Sequence, residues 1–177
     1  MNNILCQIIV FYANCLLNIL NNPGMFMLLI FPSALIVSVL HEFGHFVANK
    51  VIGLNVSKFS IGGGKKPLFS VGIFDFGLRF DSFVRTENPE ILKEDAKQNG
   101  KVLLLMSAGL IVQLFVGIAV TYLPVNSFTT AFALMNVSVM LINALPISFK
   151  SFTTDGYKIC QTVWCMITRQ RIMDVLE

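Results

Sequence analysis

Charge is what this sequence lacks most. Asp, Glu, Lys and Arg make up 13% of its 177 residues, against about 25% in a typical soluble domain. With 55% hydrophobic residues and a mean hydropathy of +0.72, a membrane protein is expected and a soluble globule excluded. Histidine is scarce too, with two in the chain, so a metal centre must recruit other donors. Cys6, Cys15, Cys160 and Cys165 form no CxxC pair and no zinc-ribbon spacing, and all four read as free thiols. The net charge of +3 comes without a basic stripe interleaved with aromatics, which excludes nucleic acid as a partner. Gly62-Gly63-Gly64-Lys65 lacks the Gly-x4-Gly-Lys-Ser/Thr spacing of a phosphate loop. There is no internal repeat and no low-complexity segment, and the length suits a single domain, 1–177.

Long apolar runs are present instead. Residues 4–20 are apolar, without a basic leader, and end at the turn Asn21-Asn22-Pro23-Gly24, so they read as a transmembrane helix rather than a signal peptide. The next run covers about 25–52, with Pro32 inside and Gly53 as a cap. Two more follow at 102–123, closed by Pro124, and 127–145, closed by Pro146. Residues 54–86 differ: glycine bounds short β-branched and aromatic stretches at Val56–Ile61, Leu68–Phe74 and Phe76–Val84, which suggests strands and hairpins. Asn88–Lys101 reads as a short polar surface helix. Within the C-terminal segment 147–177, residues 157–172 read as an amphipathic helix. The expected fold is thus a polytopic α-helical membrane protein of about four spans, with a glycine-rich β-hairpin region between the second and third.

The second run ends in His41-Glu42-Phe43-Gly44-His45. Histidines four apart lie one helical turn apart on one face, so both imidazoles reach one metal ion. Glu42 can hold an attacking water without being a ligand. This is the HExxH arrangement of zinc hydrolases, placed inside a membrane helix. One charge at mid-bilayer costs roughly 2.5–3.5 kcal/mol on insertion scales, so such residues are functional by default.

Lys and Arg fall in two places, nine between Lys50 and Lys101 and four from Lys150 onward. With four spans both places share a side, and the positive-inside rule makes it the cytosol. HExxH would then face the cytosolic end. A catalytic zinc takes three protein ligands and keeps a position open. Val51 stands where a metzincin would carry its third histidine, so the third ligand must be Asp, Glu or Cys. Asp155, in Thr153-Thr154-Asp155-Gly156, is either that ligand or a turn or N-cap residue of the following helix. Cys160 is the weaker competitor.

From Leu40 to Ile159 these residues resemble the site-2 proteases, intramembrane zinc metalloproteases of peptidase family M50. HEFGHFVANKVIGLNVSKFSIGGGK looks like that family's HExxH-Phe-x-x-Ala region followed by a Phe-Ser-Ile-Gly strand and a glycine turn. Asn143-Ala144-Leu145-Pro146 with Asp155-Gly156 resembles its second signature. The resemblance implies one Zn2+ per chain held by His41, His45 and Asp155, with Glu42 as catalytic base. It implies that Asn143 holds the substrate or the oxyanion, with helix packing as its other reading. It also makes Gly63 and Gly64, in a membrane-associated β-hairpin that pairs with extended substrate, candidate substrate-binding residues. The small form would lack PDZ and CBS modules. Two departures stand out. Residues 148–154 are a local insertion. Ala108-Gly109-Leu110-Ile111-Val112-Gln113 replaces Ala-Gly-Pro-x-x-Asn, and Gln113 reads as a bundle-packing residue.

The expected function is a zinc-dependent endopeptidase cutting within or near a transmembrane segment. Its partners would be a single-span or signal-peptide-like substrate, the lipid bilayer and a regulatory membrane protein. Its place would be the bacterial cytoplasmic membrane, with the active site towards the cytosol. The alternatives are a catalytically silent membrane-binding or immunity protein that keeps the fold, and a small channel or transporter subunit. The second would need polar residues spread along several helices.

Overall fold

Asparagine, proline and glycine punctuate the apolar runs, and the helices of the computed structural model begin and end at them. It describes residues 3–62, 67–77, 83–86, 99–149 and 152–168. Helix α1 (Ile4–Asn21) is capped by Asn3, whose side chain accepts from the Leu5 N–H at 3.1 Å. Helix α2 (Pro23–Val51) carries proline at its start, where no N–H is missed, and runs on through Pro32. Gly53 then turns the chain with φ +83°, a conformation that disfavours any side chain. Helix α3 spans Asn99–Val120 and α4 Ser127–Ala144. Asn126 opens α4 with a capping box, in which the Thr129 hydroxyl in turn accepts from the Asn126 N–H.

α1 to α4 are long and apolar enough to cross a membrane. Their packing is inverted relative to a soluble bundle. Ser33, Gln113, Thr130 and Asn136 are wholly buried, whereas Leu16, Leu20, Met27, Leu28 and Phe115 lie outside. An apolar solvent accepts the second set and favours placing the first inside, where Asn136 Nδ2 donates to the Gln113 carbonyl at 2.9 Å. α2 packs chiefly on α3 and α4. α1 leans on their far ends, with Phe11 and Cys15 against Val120 and Ala133 and Gln7 donating to the Thr121 carbonyl.

The segment after α2 holds more than a hairpin. Strands β1 (Val56–Ile61), β2 (Phe69–Val71), β3 (Phe74–Phe76) and β4 (Phe83–Thr86) form one mixed sheet in the order β2-β3-β1-β4. β2 and β3 are a hairpin about Gly72, which adopts φ +60°. β3 then runs parallel to β1, and β4 antiparallel to it. The expected run Leu68–Phe74 is therefore two strands with a turn between them. Phe59 and Phe74 are partners on the face towards α2, where Phe59 meets Phe46. On the other face Asp75 pairs with Lys58 and accepts from Ser70 at 2.6 Å. The Lys58 ammonium, then the Ser70 hydroxyl, hold the Asp75 carboxyl below its ordinary range.

Three element boundaries also move. Of the surface helix over 88–101, residues 88–98 lie outside the described residues, and 99–101 are the first turn of α3. The third helix stops at Val120 rather than Leu123, because 121–123 form a turn in which Thr121 Oγ1 donates to the Ile118 carbonyl. The insertion 148–154 contains a two-stranded ladder, β5 (Ser148–Phe149) with β6 (Phe152–Thr153), leading into α5 (Asp155–Thr168). That helix begins two residues before the expected Tyr157.

Candidate metal centre

Two side chains of α2 and one of α5 converge. His41 Nε2 lies 2.9 Å and His45 Nε2 3.1 Å from Asp155 Oδ2, and the two Nε2 atoms are 3.2 Å apart. The turn of α2 supplies the histidine pair. Bringing up the aspartate takes a more elaborate local fold. Thr154, buried, accepts from the N–H groups of Tyr157 and Ile147, and its hydroxyl reaches the carbonyls of Leu145 and Ile147. Thr154 is thus the cap of α5, and Asp155 is released from the capping role that its Asp-Gly sequence also suited. Gly156 completes the approach: a Cβ there would stand 2.1 Å from the Ala144 carbonyl oxygen, so only glycine lets α5 dock against the end of α4.

α3 closes the other side. His45 Nδ1 donates to the Leu105 carbonyl at 2.7 Å, and His41 Nδ1 lies 3.0 Å from Gln113 Oε1. The close crossing depends on two glycines. A Cβ on Gly44 would meet the Ala108 carbonyl oxygen at 2.5 Å, and one on Gly109 would meet three atoms of the His41 ring at 2.4–2.7 Å. Gly109→Ala should therefore displace His41. We expect a loss of about 1–3 kcal/mol from overpacking together with weaker metal uptake, read as melting temperature and zinc content of the purified protein.

The donor set fits a metal ion. A carbonyl can only accept, so His45 carries its proton on Nδ1, and Nε2 of the neutral ring is a lone pair. That lone pair faces a carboxylate oxygen and a second imidazole nitrogen, an arrangement that repels unless a cation lies between. Donors about 2.0–2.1 Å from one tetrahedral ion stand about 3.3 Å apart, close to the spacings found. The cluster His41, His45, Asp155 is the group of metal-ligating side chains found among the described residues. Asp155 is buried and supplies the one carboxylate of the three donors. It also stands in the first turn of α5, where the helix amides favour an anion.

The other candidates divide. Glu42 is half-buried on α2, next to His41 in the chain and outside the three-donor cluster. Asn143 is half-buried in the last turn of α4 and takes no part in the hydrogen bonds of the cluster. Cys160 is exposed on α5 and outside the cluster. Gly63 and Gly64 lie outside the described residues. Sequence reasoning missed the Leu105 carbonyl, which has no side-chain signature. It also missed Gly44 and Gly109, although small residues four apart on α2, Gly44 and Ala48, are a known signal of close helix crossing.

The family model described as peptidase family M50 matches residues 28–129, more than half of the chain. The match includes the HExxH turn and all of α3, and stops before Asn143 and Asp155. No curated protein and no solved structure matches.

Proposed function

As the chain belongs to peptidase family M50, the site-2 proteases, we propose that it is a zinc-dependent intramembrane endopeptidase that cuts a single-span or signal-peptide-like substrate. The convergence of His41, His45 and Asp155 beside Glu42, within a bundle of apolar helices, is the observation that carries this reading. In this reading the three side chains hold zinc. When bound, the ion supplies Lewis-acid chemistry, acidifying water and polarising a carbonyl. The Glu42 carboxylate takes the proton of the attacking water as its oxygen adds to the scissile carbonyl carbon. It then delivers that proton to the amide nitrogen as the C–N bond breaks, leaving a free carboxyl and a free amine. The positive-inside count supports a cytosolic face for the site.

A helical substrate hides its carbonyls in hydrogen bonds, so the segment to be cut must become extended first. An edge strand can hold it so by strand addition. The glycine turn with Gly63 and Gly64, the candidate from the sequence, follows directly on Ile61. Ile61 is in β1, between β3 and β4, and so offers no edge; the edges are β2 and β4, of which β2 is the more exposed, with Leu68, Phe69 and Val71 outside. We therefore assign substrate pairing to β2.

The test is cleavage of a single-span substrate by the purified full chain in liposomes. Cleavage should stop on treatment with a zinc chelator and return on adding zinc. Substrates with a Gly-Pro break near the scissile bond should be cut several-fold faster than fully helical ones. Chelator-resistant cleavage, or none with any substrate while one zinc per chain is bound, would count against the protease reading.

A further inference from the structure

We infer that Gln113 is a positioning residue for the metal centre, holding His41 in the tautomer that turns its Nε2 lone pair towards His45 and Asp155. The inference rests on reading the three-donor cluster as a metal centre. A neutral imidazole carries one proton on two nitrogens, and a metal ligand must keep it on the nitrogen facing away from the ion. For His41 that nitrogen is Nδ1, on a side chain buried in the bundle, where an acceptor must come from a neighbouring helix. His45 solves the same problem with the Leu105 backbone carbonyl, which any residue at that position would provide. His41 depends on a side chain, Gln113 Oε1 at 3.0 Å.

The surroundings favour this role over helix packing. Gln113 is wholly buried, and an amide in such a place is costly without a partner. A glutamine kept to join helices would engage α4 with its side chain. Instead α4 grips its backbone: Asn136 Nδ2 donates to the Gln113 carbonyl at 2.9 Å. Gln113 Nε2 has no hydrogen-bond partner among the described residues, so the one described hydrogen bond of this side chain runs to His41. Gly109, one turn earlier on α3, leaves the room that the His41 ring occupies. The result is a line of support from α4 through α3 to the first ligand on α2, in which the departure from the family's asparagine supplies the reach.

The experiment uses the purified full chain in detergent, with zinc affinity measured by chelator competition and the absorption spectrum recorded with Co2+. Gln113→Leu should bind zinc about 10- to 100-fold more weakly and shift the cobalt ligand-field bands, with its melting temperature in the zinc-free form near that of wild type. Gln113→Glu, which restores an acceptor, should recover both affinity and spectrum. Wild-type affinity and spectrum in Gln113→Leu would overturn the inference and leave the metal-centre reading intact, as would a loss that Gln113→Glu does not reverse. If the wild-type chain takes up neither ion, both readings fall. Should Gln113→Leu not fold, Gln113→Asn, one methylene too short, should show the same weakening; unchanged affinity there would overturn the inference equally.

Discussion

Glu42→Gln should abolish cleavage while leaving about one zinc per chain. The substitution keeps volume and shape but removes the group that accepts and returns the proton. General acid–base catalysis contributes about 10²–10⁴-fold, and Glu42 is asked to act in both halves of the reaction. The expected rate loss is therefore at the upper end of that range or beyond. Because Glu42 is outside the three-donor cluster, metal content should not follow activity down. Initial rates on a single-span substrate and zinc content would be read on the same samples. A variant cleaving within about tenfold of wild type would remove Glu42 from the mechanism. Lost zinc would instead mark it as a ligand.

Asp155→Ala should lose the metal and, with it, all activity. Asp155 is the anionic donor of the cluster, and without it two neutral imidazoles on one turn of α2 remain. Replacing an outer partner of a metal ligand costs 10- to 100-fold in affinity, so removing a ligand itself should cost more than about 100-fold. The fold offers a control against general damage. Thr154, not Asp155, caps α5 and ties it to Leu145 and Ile147, so the helix should remain docked. Cys160→Ser, on the same helix but exposed, should leave zinc content unchanged. Retention of zinc by Asp155→Ala at wild-type affinity would show that the third ligand lies elsewhere.

How much of this was legible depended on whether the signal was local. The four long helices were read to within about three residues, because each is an apolar run closed by Asn, Pro or Gly. His41 and His45 were legible for the same reason, since four-residue spacing on a helix is geometry in itself. Asp155 was ambiguous because Asp-Gly serves caps and metals alike, and the deciding residue was its neighbour Thr154, whose role depends on carbonyls of another element. The order β2-β3-β1-β4 was not legible, since parallel pairing of β1 with β3 joins residues with no local mark of it. Gln113 was read as a packing residue set apart by its departure from the family pattern. Only the distance to His41 gave it a partner.

The donors of the centre are far apart along the chain: His45 and Asp155 are 110 residues apart. This has a consequence in time. During synthesis the histidine pair is made, and α3 and α4 follow, before the third donor exists. Thr154 and Gly156, which set Asp155 in place, arrive with it. The nascent chain therefore holds HExxH for a time without its third donor. The three-donor cluster can form only after residue 155 has been joined and α5 has docked.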